Sequence, residues 1–198
     1  MSADVNGDYE IDLFYSYKRE PAGVKLTMTW QRQFSRRLEY YVRQELGGKK
    51  LRTFRDVDDV RMGRRPWKEI AWALGRSKCL LALVTPEYFE SPFCRAELQA
   101  FRDRCSLLEK RDGSSPPLVL PVILHRGDGG LAARLEYQYY DLSGFFATTP
   151  AFWSTSGAVA LDRLIRDHLA PDVAAAIRQA PPYEEWPIAG PEPAPGRG

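Results

Sequence analysis

The chain lacks a charge imbalance: 28 lysines and arginines stand against 26 aspartates and glutamates, a formal net charge of +2. Without a basic excess, direct binding of nucleic acid is not expected. Long apolar runs are missing as well. None approaches the roughly 18–20 residues that cross a bilayer, and the opening MSADVNGDYE has neither the charged nor the apolar region of a secretory signal. Cysteine is scarce. Cys79, Cys94 and Cys105 form an odd set with neither CxxC nor metal-ligand spacing, which reads as reduced thiols in a cytoplasmic protein with no metal site. His125 and His168 lie far apart, no Ser-His-Asp arrangement has a local signature, and no Gly-rich phosphate loop is present.

What is present suits one globular domain with a tail. The 198 residues are 44% apolar, ordinary for a packed core. The most informative stretch is CLLALVTPEYFESPFCRAELQAFRDR, residues 79–104. Leu80–Val84 is a continuous apolar run of the kind found in strands buried on both faces. Thr85-Pro86 ends it, since proline cannot donate to a ladder. Ser91-Pro92 predicts a helix start, with serine at the N-cap and proline at the first helical position. Phe93, Glu97 and Phe101 then recur on one helix face.

The rest of the chain alternates strand and helix. Residues 11–17 predict a strand; Trp30, Phe34, Leu38, Tyr41 and Leu46 predict a helix stopped by Gly47-Gly48. Residues 51–55 predict a weaker strand, followed by a charged loop and a helix opened by Pro66. Residues 118–124 predict a fourth strand in which Pro121 argues for an edge or a bulge. Arg126-Gly127-Asp128 reads as turn chemistry. Residues 137–142 predict a short last strand, and Leu161 to Leu169 a helix punctuated by Pro171. The order implies an α/β fold, a flavodoxin-like parallel five-stranded sheet flanked by helices. Residues 1–9 read as a flexible leader, 10–178 as the domain, and 179–198 as a Pro/Gly-rich tail or linker to a possible further domain that would not itself pack.

Glu97 is the unusual residue. It places a carboxylate on a partly apolar helix face just beyond a strand's carboxyl end, where open α/β sheets bind ligands. The other reading is a solvated helix residue near a favourable dipole end.

Three segments in order, IDLFYSY, LRTFRDVDDVRMGRRPW and LLALVTPEYFESPFCRAEL, resemble the first strand, the second strand with its BB loop, and the glutamate-bearing strand–loop–helix of a Toll/interleukin-1 receptor (TIR) domain of the bacterial NAD-cleaving type. The resemblance covers about residues 8–170. Phe152-Trp153 is a loose counterpart of the family's third box. Catalytic members often carry tryptophan four residues before the glutamate; here Phe93 stands there.

The resemblance implies an NAD+ glycohydrolase or cyclase with Glu97 catalytic, NAD+ as substrate and no cofactor, activated by self-association in a bacterial defence or signalling system. It implies substrate contacts from Phe93, Ser16, Tyr17, Lys18, Arg19, Arg55, Asp56 and Trp67. Val57, Asp58, Asp59, Val60, Arg61, Met62 and Gly63 would form the self-associating BB loop. One carboxylate is chemically sufficient, because nicotinamide leaves a cationic pyridinium as a neutral molecule and needs no general acid, unlike the alkoxide of a sugar acetal. Other readings stand beside each assignment: a solvated post-strand loop for Lys18-Arg19, a core-facing tryptophan for Trp67, and loop capping for Asp56 and Asp58. For the whole chain the alternatives are a non-enzymatic TIR–TIR interaction module and a phosphoacceptor domain. The latter wants an aspartate closing the third strand, where Val84-Thr85-Pro86 stands instead.

Overall fold

The computed structural model describes residues 8–19, 27–55, 66–127, 130–135 and 137–191. Its centre is β3 (Ser77–Val84), buried along nearly its whole length as its apolar run requires. β1 (Ile11–Tyr17) lies on one side and β4 (Val119–Ile123) on the other, with β2 (Thr53–Arg55) and β5 (Tyr140–Asp141) at the edges. The order is β2-β1-β3-β4-β5 and every pairing is parallel. This is the flavodoxin-like α/β fold expected from the alternation.

Helices cover both faces, because parallel strands need crossovers that return over the sheet. Side chains alternate across β1. Phe14 joins a core layer with α2 (Pro66–Gly75) and α3 (Pro92–Asp112), while Leu13 and Tyr15 join the other layer with α1 (Met28–Glu45). α4 (Leu131–Leu135) adds Leu131 and Leu135 to the first layer. α5 (Ser156–Leu164), a π-helical turn (Ile165–Leu169) and α6 (Ala170–Arg178) close the second. The wide turn sits just before Pro171, which has no N–H to continue an ordinary helical ladder.

Pro121 fits without a bulge. The Leu118 carbonyl accepts from Leu80 N–H of β3 and Leu124 N–H donates to the Val84 carbonyl of β3, whereas the Ile123 carbonyl receives Leu142 N–H from the β5 side. Odd-numbered β4 residues therefore face β5, and β5 begins pairing only at Val122. The missing donor of Pro121 faces an open edge, as a proline in a sheet requires.

The tail differs from expectation. Residues 179–191 form neither helix nor strand, yet Ala180, Trp186 and Ile188 pack on the α2–α3 layer. Tyr183 meets the Tyr9 ring edge-on at 5.3 Å, and Glu184 accepts from Arg111 at 2.9 Å. The prolines deny this segment a backbone ladder, but its large side chains still bury apolar area, and that holds an extended strap in place. Residues 192–198 lie outside the described residues.

Candidate functional site

α3 starts as its sequence predicts. Ser91 caps it, its hydroxyl accepting from Cys94 N–H, and Pro92 occupies the first turn. At the far end Gly113 takes the left-handed conformation, and its N–H returns to the Glu109 carbonyl. This fixes the helix phase so that Phe101 enters the core, Phe93 reaches the surface at 37% exposed, and Glu97 between them is only 3% exposed.

Glu97 is buried but not orphaned. Ser16, at the carboxyl end of β1, donates its hydroxyl to Glu97 Oε2 at 2.5 Å, a charge-assisted bond of the strong kind. The Ser16 oxygen also lies 2.6 Å from the Tyr88 hydroxyl, in the 3-10 turn Pro86–Tyr88 that follows β3. Burial, with the charges of Cys94 and Glu97 adding to it, holds the Tyr88 phenol well above its ordinary pKa. It stays protonated.

Glu97 opens on a cavity of about 250 Å³ at the carboxyl rim of the sheet. Tyr17, Lys18 and Arg19 line it from the end of β1, Ile70 from α2, and Ser91, Phe93 and Cys94 from the start of α3. Lys18 and Arg19 are exposed there, giving the mouth two cations. Trp67 stands beside Phe93, ring centroids 6.0 Å apart at 60°, while its body packs on the core. Its packing on the core matches the core-facing reading of Trp67. Ligand pockets usually span about 300–1,000 Å³, so this cavity lies just below that range.

The structure brings Ser16, Tyr17, Lys18, Arg19, Phe93 and Glu97 together, and puts Trp67 at their edge. Arg55 is elsewhere. It points with Tyr15 to the opposite face, hydrogen-bonded to Glu39 of α1 and 5.2 Å from the Tyr15 ring. The cause is strand alternation: Phe54 enters the α2–α3 layer, so its neighbour enters the other. Asp56 and the loop residues Val57, Asp58, Asp59, Val60, Arg61, Met62 and Gly63 lie outside the described residues. Tyr88, Ile70, Ser91 and Cys94 are residues at the site that sequence reasoning did not assign to it. For Tyr88 a signal existed, a tyrosine four residues past the apolar run of β3, whose hydroxyl, once buried, had to find a partner.

Cys79, Cys94 and Cys105 form no disulfide, and burial raises the pKa of both Cys79 and Cys105. Among the described residues no group of histidine, cysteine or carboxylate side chains is placed to hold a metal ion. Nor is any described helix long and apolar enough to cross a membrane.

Fold and site together define an open, all-parallel α/β domain with a buried carboxylate, Glu97, at its carboxyl rim. A family model for the TIR domain matches residues 32–151, more than half of the 198-residue chain. The chain belongs to the TIR domain family. No curated protein matches it.

Proposed function

We propose that this domain cleaves the bond between nicotinamide and ribose in NAD+. The observation that carries the reading is the placement of Glu97: a carboxylate buried at the sheet's carboxyl rim, hydrogen-bonded by Ser16, beside a cavity with cations and an aromatic ring at its mouth. In the reaction the C–N electron pair departs with nicotinamide and neutralises the pyridinium, leaving an oxocarbenium-like ribose. Glu97 meets that developing positive charge and hydrogen-bonds the ribose hydroxyls, so its interaction is stronger in the transition state than in the ground state. Lys18 and Arg19 suit the pyrophosphate, and Phe93, with Trp67 behind it, offers a ring to the substrate. Capture by water yields ADP-ribose; capture by the adenine base yields a cyclic product.

The cavity is smaller than a dinucleotide, which favours a site completed in an assembly. Self-association through the BB loop is the step we propose for that, with the protein acting in the cytoplasm in defence or signalling. The test is nicotinamide release from NAD+ by purified protein in verified assemblies, against Glu97→Gln and Glu97→Ala. Loss of release in folded variants is expected. Unchanged turnover by folded Glu97→Ala would defeat the assignment, and silence of the unmutated protein in every assembly would leave a TIR–TIR docking module.

A further inference from the structure

We propose that Tyr88 is a positioning residue for Glu97, acting through Ser16: its phenol donates to the serine hydroxyl, which donates in turn to the carboxylate. This rests on the reading of Glu97 as the group that meets the reacting ribose.

The direction of the chain follows from proton counting. A serine hydroxyl carries one proton and two lone pairs. That proton goes to Glu97 Oε2 at 2.5 Å, so the contact of 2.6 Å between the two hydroxyl oxygens can only be donated by Tyr88. The phenol has the proton to give, because burial keeps it from ionising. Each link polarises the next, and all three residues are buried, where such bonds are stronger than in water.

The three groups come from three elements: the end of β1, the turn after β3, and the second turn of α3. The turn is itself fixed. Tyr88 N–H bonds the Thr85 carbonyl and Ser91 N–H bonds the Tyr88 carbonyl, so the tyrosine links the strand's end to the helix cap. Pro86 of the same turn lies close to Gly127, where an added Cβ would come within 2.7 Å of Pro86 Cγ. A rigid donor thus sets the rotamer of a hydroxyl that would otherwise rotate, and through it the aim of the carboxylate into the cavity. Orientation of this kind affects the chemical step more than the affinity for substrate.

The experiment compares NAD+ turnover by the full chain with Tyr88→Phe, Ser16→Ala and the double variant, together with thermal unfolding of each and of Tyr88→Phe combined with Glu97→Gln. Tyr88→Phe is expected to lower kcat roughly tenfold, the upper end of what one hydrogen bond contributes, with KM within about twofold. In the Ser16→Ala background the same change should cost less than about twofold, as two members of one chain behave. Equal losses in both backgrounds, or a rise in KM with kcat held, would overturn the relay and leave Tyr88 as packing. If Tyr88→Phe does not fold, Ser16→Ala decides: its kcat must fall with KM held. If the unmutated protein cleaves no NAD+, the NAD+ reading fails and unfolding decides the relay separately. Tyr88→Phe must then lower Tm less in the Glu97→Gln background than in the unmutated chain, and equal shifts would refute it.

Discussion

The Trp186 ring covers the guanidinium of Arg104, with 4.6 Å between the ring centroid and Cζ. Arg104 also meets the Phe101 ring at 4.3 Å, and its two terminal nitrogens donate to the carbonyls of Ser77 and Leu74. A buried cation is expensive unless its donors and its faces are engaged. The C-terminal strap supplies one of those faces, and so helps to bury a charge at the heart of the α2–α3 layer.

Trp186→Ala should therefore destabilise the domain by about 3 kcal/mol, the scale of a buried aromatic lost together with a cation–π contact. Chemical denaturation would measure it. Ending the chain at Gln179 should cost at least as much, because it also removes Tyr183 and Ile188 from the surface they cover. A truncated domain of unchanged stability would mean that the strap only lies on the surface.

Asp12 gives an acid-dependent contribution to stability. Burial pushes its carboxyl up, but hydrogen bonds from Arg52 and Lys78 outweigh burial and hold its pKa below the ordinary value. A carboxyl held low in the folded state stabilises fully above its unfolded pKa of about 3.9 and loses that contribution as pH falls through the folded value. Asp12→Asn should cost about 2 kcal/mol at neutral pH. It should also flatten the dependence of Tm on pH below about pH 4. Parallel Tm curves for the two proteins would contradict this.

Phe93→Ala should raise KM for NAD+ roughly tenfold, the scale of one aromatic stacking contact, with a smaller effect on kcat. Phe93→Trp should leave KM near that of the unmutated protein. The ring is half-exposed at the cavity mouth, so Tm should move little in either variant. A fall in kcat with KM unchanged would place Phe93 with the reacting groups instead.

Charge reversal at both Asp58 and Asp59 should reduce assembly and nicotinamide release together, read by sedimentation and by turnover. Activity lost with assembly intact would make this loop a substrate element.

How much of the site was legible depended on the range of the interaction. Ser91, Pro92 and the spacing of Phe93, Glu97 and Phe101 are local facts, and they placed Glu97 on its helix at the rim before any coordinates. That Ser16 donates to Glu97 was not legible. Eighty-one positions separate them, and only the adjacency of β1 and β3, with Ser16 paired to Ala82, carries the β1 terminus to the helix that follows β3. Arg55 illustrates the reverse. It follows a strand's end as a rim residue would, but the face it takes depends on the phase of a three-residue edge strand. A shift of one residue there reverses the face.

The tail was legible as to backbone only. Its prolines determine that residues 179–191 form no helix or strand, whereas whether Trp186 packs depends on Arg104 and Phe101 offering a surface far away in sequence. The sequence by itself therefore determined the strand–helix alternation, the parallel sheet and the helix start before Glu97, because periodicity, capping and proline act over a few residues. Only the tertiary structure decided which buried hydroxyls hold Glu97, which face takes Arg55 and what covers Arg104. Those are contacts between segments that meet only when the sheet is assembled.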